Sequence, residues 1–364
     1  MKEIKIDVKI PPQAEKSYPI IIKSGILGSV YEYLEPARYA VITDTGIAEI
    51  YGKALADLLA SHEIDAEIIS FKPGEKSKTR KTKERLEDAM FDLMFDRSSK
   101  IISLGGGVVG DIAGFTASTY MRGIPVIQIP TTLLAMVDSS IGGKTAVNHP
   151  LGKNLIGTFC QPEKVLIDPD TLCSLPEKEL LNGMSEIIKH GIIRDESLFR
   201  VLEEHMAGII ERDPDFSWGE LIETNCRIKA DVVMSDEKES GVRKILNFGH
   251  TVGHALETLS QGRLTHGEAV SIGMAAESVA ARNMGILEGS ACERIIACIA
   301  LSELPISFPD WAETESVIEK TRHDKKAAQG SVSYSLPDRI GNCLHGIEVE
   351  DDTLREALLE INNL

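Results

Sequence analysis

The sequence lacks the features that would indicate a membrane, secreted or nucleic-acid-binding protein. No stretch reaches about 18 uninterrupted apolar residues, so we expect no membrane span, and the first residues alternate in polarity instead of forming the apolar run of a signal peptide. The six cysteines include no CxxC pair, which favours reduced thiols in a cytoplasmic protein. Basic residues number 39 against 56 acidic ones, and the formal net charge of −17 argues against nucleic acid and anionic membrane surfaces as partners.

The length and composition are those of an ordinary globular protein with two domains. A chain of 364 residues exceeds the comfortable size of a single core, and 43% hydrophobic with 26% charged residues allows a normal interior. We find no internal repeat and no low-complexity segment. An anionic substrate remains compatible with the negative net charge, because the residues that line a cleft set its local potential.

The first half of the sequence alternates strand and helix patterns. This alternation predicts an α/β fold with a Rossmann-like parallel sheet covered by helices. The predicted strands are Ile4–Ile10, Pro19–Ile22, Arg38–Thr43, Ala66–Phe71, Lys100–Leu104 and Pro125–Ile129. The predicted helices run from Asp44 to about Ala60, from Lys78 to Phe95, and from a glycine-rich turn to about Thr119.

The second half is predicted to be mostly α-helical. Its predicted helices are Pro176–Gly191, Glu196–Glu211, Gly219–Met234, Gly249–Leu259, Gly267–Met284, Ser290–Leu301 and Thr353–Ile361, with one short strand at Val332–Leu336. We therefore expect an α/β domain over residues 1–175 and a mostly helical domain over residues 176–364. A cleft between two such domains is a favoured place for a ligand.

A glycine-rich turn indicates nucleotide binding. Gly105, Gly107 and Gly110 match G-x-G-x-x-G after a predicted strand, where backbone N–H groups can approach a pyrophosphate at the helix N-terminus. A plain tight turn is the alternative. The acidic candidate for the ribose, Asp44, lies upstream, which suggests a variant of the usual dinucleotide fold. Glu75 and Lys78 end another strand, either as further contacts or as a solvated charged turn.

A cluster of histidines indicates a metal site. Of the nine histidines, His250, His254 and His266 fall within 17 residues, and imidazole is the commonest side-chain metal ligand. His250 and His254 would share one helix face and could bind one ion. Glu186 is a plausible third ligand, because two histidines and a glutamate with one open position form a catalytic zinc pattern. Each histidine alone is more often a capping or core residue, and the clustering of the three is what favours a metal site.

Several basic residues stand beside glycines and polar residues, in contrast to the acidic chain as a whole. Each alone is typical of a surface side chain, but together they favour a substrate that carries phosphate or carboxylate groups. They are Arg122, Lys144, Lys153, Lys189, Lys229, Arg243, Lys325 and Lys326.

Several long blocks, in this order, make the sequence resemble the 3-dehydroquinate synthase family over nearly the whole chain. The blocks are Gly105–Asp111, Tyr120–Pro125, Ile129–Leu134, Val137–Thr145, Asn148–Asn154, Asp236–Gly241, Leu246–Glu257, His266–Val270 and Asp324–Lys326. Val252 stands where an aromatic residue is frequent in the family, and it touches no expected ligand.

The resemblance implies a set of site residues. The implied metal ligands, for one Zn²⁺ or Co²⁺ ion, are Glu186, His250 and His266. The implied catalytic residues are Lys144, Lys189, Arg243, Asn247 and His254. The implied substrate-binding residues are Arg122, Asp138, Lys153, Asn154, Lys229 and Lys326. The implied NAD contacts are Asp44, Glu75, Lys78, Gly106, Gly107, Val108, Val109, Gly110, Asp111, Thr131, Thr132, Lys144, Lys153, Thr171, Leu172, Cys173 and Ser174.

The resemblance also implies a reaction and an assembly. Members convert 3-deoxy-D-arabino-heptulosonate 7-phosphate to 3-dehydroquinate and phosphate, by transient oxidation with NAD, phosphate elimination, re-reduction and aldol closure. A homodimer is expected, with Arg122 reaching across its interface. The alternatives are another sugar-phosphate cyclase, a metal-dependent alcohol or glycerol dehydrogenase, and a catalytically idle NAD-binding regulator. Arg243 with Lys144 would favour a substrate with a carboxylate.

Overall fold

The computed structural model describes residues 17–323 and 332–363. The expected strand Ile4–Ile10 and the basic residues Lys325 and Lys326 lie outside these ranges. Within them, no helix combines the length and the apolar character that a membrane crossing requires.

A six-stranded parallel sheet forms the first half, as the sequence predicted. Its order is β1-β8-β5-β4-β2-β3, and every neighbouring pair is parallel. The central strands are buried on both faces, which explains their continuous apolar runs. The strands are β1 (Ile20–Ile22), β2 (Tyr39–Asp44), β3 (Ala66–Phe71), β4 (Lys100–Gly105), β5 (Val126–Pro130) and β8 (Lys164–Ile167).

Helices connect the strands of the sheet. They are α1 (Thr45–Ile47), α2 (Lys53–Ser61), α3 (Arg80–Asp92) and α4 (Gly107–Thr119). The helix expected from Asp44 to Ala60 is interrupted, since residues 48–52 form a wider helical turn between α1 and α2. The helix after the glycine turn begins and ends close to its predicted limits.

An antiparallel hairpin, which the sequence interpretation did not anticipate, projects between β5 and β8. It consists of β6 (Lys144–His149) and β7 (Gly152–Phe159). Gly157 allows the two strands to approach, because a Cβ there would lie 2.0 Å from the carbonyl oxygen of Thr145. The hairpin carries Lys144, Lys153 and Asn154.

The second half is mostly helical, as predicted. Its helices are α5 (Glu177–Arg194), α6 (Glu196–Ile210), α7 (Trp218–Ser235), α8 (His250–Ser260), α9 (His266–Asn283), α10 (Gly289–Leu301), α11 (Thr314–His323) and α12 (Asp351–Glu360). The expected short strand is longer, and it pairs with a strand that was not predicted: β9 (Ser333–Arg339) and β10 (Asn342–Glu348) form an antiparallel hairpin.

One hydrophobic core joins the sheet to the helices. Leu133, which follows β5, and Val165 of β8 belong to the same buried cluster as Ile187 of α5. The packing is close, because a Cβ on Gly183 of α5 would lie 2.6 Å from the backbone nitrogen of Leu134. This contact brings the next turn of α5, which carries Glu186, to the carboxyl end of the sheet. The boundary at residue 175 stays a prediction.

Candidate active site

The carboxyl ends of the parallel strands form a cradle around the glycine turn. In such sheets, ligands bind at this edge. A Cβ on Gly106 would lie 2.9 Å from Cγ2 of Thr132, and one on Gly107 would lie 3.0 Å from Oγ of Ser139. No side chain caps the N-terminus of α4 at Gly106. The two glycines therefore let Thr132 and Ser139 pack directly against the turn, and the uncapped backbone N–H groups at the N-terminus of α4 fit a pyrophosphate.

The other expected nucleotide contacts surround this turn. Asp44 ends β2, and its carboxylate accepts hydrogen bonds from the backbone N–H groups of Gly46 and Ile47 at 2.9 and 3.0 Å. Thr131 directly follows β5. The expected segment Thr171–Ser174 forms a short helical turn after β8, where the Tyr51 hydroxyl lies 2.5 Å from Oγ of Ser174.

The pair Glu75 and Lys78 contacts the hairpin, so it is more than a solvated charged turn. Lys78 forms an ion pair with Asp111 of α4 and donates to Oδ1 of Asn154 at 2.5 Å. Glu75 accepts a hydrogen bond from Nδ2 of Asn148 at 2.6 Å. These contacts join the loop after β3, the first turns of α4 and the β6–β7 hairpin in one polar network.

Glu186, His250 and His266 converge from three helices. Glu186 lies in α5 and is fully buried, while His250 and His266 are the first residues of α8 and α9. Oε1 of Glu186 is buried and makes no hydrogen bond. It lies 3.6 Å from Nε2 of His250 and 3.5 Å from Nε2 of His266. A tetrahedral metal with bonds of about 2.0–2.1 Å separates its ligand atoms by roughly 3.4 Å, so the trio fits one ion.

The opposite nitrogens of the two rings are held by oxygen atoms. Nδ1 of His250 lies 3.2 Å from the carbonyl oxygen of Phe248, and Nδ1 of His266 lies 3.5 Å from Oε2 of Glu257. Such outer contacts fix the tautomer that leaves Nε2 free for a metal. Glu257 lies three residues after His254 on α8. The sequence does not identify Glu257 as a partner of His266, because the two residues lie on different helices.

The charges of the trio suit a cation. Burial acts against it, but Lys189 and the two histidines hold the pKa of Glu186 well below its usual range. Burial and Lys189 keep the pKa of His250 low, so its ring is neutral. Burial acts to lower the pKa of His266, but Glu186 and Glu257 raise it to about 9. A metal ion would therefore displace a proton from His266 as it binds.

His254 faces the same pocket from one turn further along α8. Its ring centroid lies 5.0 Å from that of His250 and 6.2 Å from that of His266. His254, Glu257 and His266 form a second group whose ligand atoms lie within 4.8 Å of one another. In that group Glu257 already pairs with Lys153 at 2.6 Å, and its carboxylate is less deeply buried than that of Glu186. The geometry therefore favours the Glu186 trio and leaves His254 beside it.

Four basic side chains line the region next to the trio, each with an oxygen partner. Lys189 pairs with Glu186, Lys229 with Asp138, and Lys144 with Glu239. Arg243 is almost fully buried and donates to the carbonyl oxygen of Gly142 at 3.3 Å. The loop residue Glu239, which the sequence interpretation missed, also accepts from Nδ2 of Asn247 at 2.7 Å.

Burial and neighbouring charges shift the pKa values of Lys144 and Asp138. Burial, with Arg243 and Lys229 nearby, lowers the pKa of Lys144 to about 8. Burial acts to raise the pKa of Asp138, but Lys229 lowers it to about 2. A carboxylate or phosphate of a ligand would offer these cations an additional anionic partner.

Arg122 lies apart from the other expected substrate contacts. It follows α4, at the end opposite to the glycine turn, and the 13 residues of α4 span about 20 Å. Met121, Arg122 and Gly123 have φ angles of 51°, 72° and 114°, so three consecutive residues take left-handed backbone conformations. The expected substrate contact Lys326 lies outside the described residues.

Comparisons with known proteins agree over nearly the whole chain. Residues 68–182 match a family model described as 3-dehydroquinate synthase N-terminal, and residues 183–327 match one described as 3-dehydroquinate synthase C-terminal. A 3-dehydroquinate synthase of Desulforamulus reducens is 46% identical over 90% of this chain and 92% of its own. One of a Synechococcus species is 42% identical over 99% of both chains.

Solved structures show the same architecture. The 2-epi-5-epi-valiolone synthase of Streptomyces hygroscopicus, solved with NAD⁺ and Zn²⁺, has a TM-score of 0.91 at 29% identity and covers 98% of this chain and 99% of its own. A 2-deoxy-scyllo-inosose synthase, solved with carbaglucose-6-phosphate, NAD⁺ and Co²⁺, has a TM-score of 0.82 at 26% identity over 94% and 96% of the two chains. Glycerol dehydrogenase of Schizosaccharomyces pombe, at 16% identity and a TM-score of 0.68 over 95% and 89% of the chains, shares the fold.

Proposed function

The chain belongs to the 3-dehydroquinate synthase family, and we propose that the site described above performs the reaction of that family. The substrate is 3-deoxy-D-arabino-heptulosonate 7-phosphate, and the products are 3-dehydroquinate and phosphate. NAD and one divalent metal ion, Zn²⁺ or Co²⁺, are the cofactors. The observation that carries the proposal is the buried Oε1 of Glu186, which makes no hydrogen bond and faces two imidazole nitrogens beside four cations.

Each part of the site has a defined task. Glu186, His250 and His266 hold the metal, while Gly106 and Gly107 bring backbone N–H groups to the pyrophosphate of NAD. When bound, NAD supplies reversible oxidation of a secondary alcohol and the metal supplies a Lewis acid. The chain's own residues bind and orient the substrate at this centre, which converts binding energy into rate.

Different polar and basic side chains are assigned to the two anionic ends of the substrate. Arg243 and Lys144 lie together near the loop that carries Glu239, and we assign them to the carboxylate. His254, Asn154 and Lys326 are assigned to the phosphate. Lys189 and Lys229, released from their acidic partners, orient the ring oxygens between these ends. A carboxylate-binding pair distinguishes this function from that of cyclases whose substrates are neutral at that position.

The test supplies the phosphorylated heptulosonate with zinc and a catalytic amount of NAD, and follows phosphate and NADH together. We expect phosphate release without lasting NADH, because the hydride removed early is returned later. NADH that accumulates in proportion to substrate would instead indicate a dehydrogenase. A phosphorylated sugar of similar size without a carboxylate serves as the control and should release little phosphate.

The homodimer is also part of the proposal. The distance of about 20 Å between Arg122 and its own glycine turn along α4 supports the proposal that Arg122 serves the site of a second copy. The proposed partners are the small-molecule substrate and a second copy of the chain. We also propose that the enzyme acts in the cytoplasm.

A further inference from the structure

Glu277 is a fully buried carboxylate to which the proposed reaction gives no task. It lies in α9, eleven residues after His266. Its two oxygens accept hydrogen bonds from α8: Oε2 from the backbone N–H of Gly249 at 2.7 Å, and Oε1 from the backbone N–H of Val252 at 3.1 Å. A buried carboxylate is costly unless it is hydrogen-bonded, so this arrangement needs a physical reason.

The N-terminus of α8 has no cap of its own. Gly249 occupies the capping position in a left-handed conformation, with φ of 77°, and no side chain of that turn accepts its N–H groups. No acidic residue lies in the first turn of α8. Glu277 therefore does from the neighbouring helix what a capping Asp or Ser usually does within one helix.

The first residue of this turn is the metal-ligand candidate His250. A helix N-terminus carries roughly half a positive charge, which opposes a cation bound to a residue of the first turn. The carboxylate of Glu277 offsets that charge. The second ligand helix has an equivalent group, since Glu268 of α9 accepts from the N–H of Thr265 at 2.6 Å, immediately before His266. Both helices that present imidazoles thus have a carboxylate at their positive ends.

Close packing makes the orientation of His250 depend on this contact. A Cβ on Gly273, one turn before Glu277, would lie 1.9 Å from the carbonyl oxygen of Gly249. A Cβ on Gly249 would lie 2.5 Å from Cγ of Met274. One rigid helix, α9, therefore carries His266 at its beginning and holds the backbone of His250 through Glu277 three turns later.

We propose that Glu277 is a positioning residue for the metal centre, which caps α8 from α9 and so sets the place and the electrostatic surroundings of His250. The inference rests on the proposed metal site. It predicts that Glu277 acts on metal affinity and leaves the nucleotide site unchanged.

The test compares the full-length protein with its Glu277→Gln variant, which has the same size but no charge and only one acceptor oxygen. Zn²⁺ affinity is measured by competition with a chromogenic chelator, and the visible spectrum of bound Co²⁺ reports the coordination geometry. We expect the folded variant to bind Zn²⁺ about tenfold more weakly, the usual effect of losing an outer contact of a metal ligand, with an altered Co²⁺ spectrum and unchanged NAD affinity.

Controls separate positioning from general stability. Ile295→Val shortens a buried side chain of α10 and should lower the unfolding temperature without changing Zn²⁺ affinity. If Glu277→Gln does the same, Glu277 is only a structural cap and the proposal is overturned. If Glu277→Gln does not fold, Glu277→Asp is tested in its place. The aspartate keeps the charge but is one methylene shorter, so it cannot hold the backbone of α8 in the same position. Wild-type Zn²⁺ affinity in that variant would also overturn the proposal. Failure of the wild type to bind Zn²⁺ would contradict the metal site itself.

Discussion

Glu186 has two different oxygen atoms, and its role follows from that difference. One oxygen faces His250 and His266, and the other pairs with Lys189. The carboxylate therefore joins the imidazole pair to Lys189 through a single side chain.

Replacing this carboxylate should separate metal binding from nucleotide binding. We expect Glu186→Gln to lose bound metal and activity while NAD affinity persists. Because the substitution leaves the buried Lys189 without its counter-charge, it should also lower the free energy of unfolding by about 3 kcal/mol. Metal analysis and urea unfolding measure both effects. The control is Glu196→Gln, which removes an exposed ion pair with Arg200. It should leave the metal content unchanged and alter the free energy of unfolding by no more than about 1 kcal/mol. Unchanged metal content in Glu186→Gln would refute the ligand assignment.

His190 makes stability depend on pH. Its ring is fully buried, Nδ1 lies 3.0 Å from Oδ1 of Asn225, and burial with the neighbouring Lys189 lowers the pKa to about 4. The unfolded chain binds the proton near pH 6.5, so the folded state loses stability as the pH falls from about 6.5 to about 4.

Substitution of this histidine should remove that dependence. Urea unfolding of the wild type and His190→Gln, at pH 7 and pH 5, gives the stability difference between them at each pH. We expect the difference to move by about 2 kcal/mol in favour of the variant at pH 5. A difference that is the same at both pH values would show that His190 is not held neutral by the fold.

At the scale of elements, the crossing of α8 and α9 depends on glycine. Gly273→Ala would place a Cβ against the backbone of Gly249, so the helices must separate. We expect the free energy of unfolding to fall by about 3 kcal/mol, together with weaker binding of metal because His250 moves with α8. Gly289→Ala is the matched control, since a Cβ there meets nothing within 4 Å. Equal effects of the two substitutions on thermal unfolding would contradict this account.

The elements that the sequence predicted are those with a local signal. Buried parallel strands such as Lys100–Gly105 are mostly apolar runs, and amphipathic helices such as α6 bury residues at a clear helical period. Strand β7 was missed because most of its residues are exposed, including Leu155 and Phe159, so it lacks alternation. The site residues that could be predicted lie in contiguous sequence motifs. Glu239, Glu257 and Glu277 could not be predicted, because folding brings them into contact with the residues that they hold.

At the scale of the whole molecule, the proposed homodimer, with Arg122 reaching across its interface, predicts complementation between subunits. Heterodimers of Arg122→Ala and Glu186→Ala subunits, isolated with two affinity tags, contain one site in which both residues are intact. We expect each homodimer to be inactive and the heterodimer to have about half of the wild-type activity. Heterodimers of Glu186→Ala with Lys189→Ala should stay inactive, because those residues belong to one subunit's site. Absence of recovery in the first pair would place Arg122 outside the partner's site.

The ion pair between Lys189 and Glu186 has a consequence for how the enzyme matures. Without an ion, the lysine ammonium supplies the positive charge that the buried carboxylate requires, so the chain can complete its fold during synthesis while metal is scarce. A metal ion bound to the other oxygen of Glu186 would share the charge of that carboxylate, so Lys189 would become available to substrate. Lys189 would therefore balance the charge of Glu186 before the metal binds and contact the substrate afterwards.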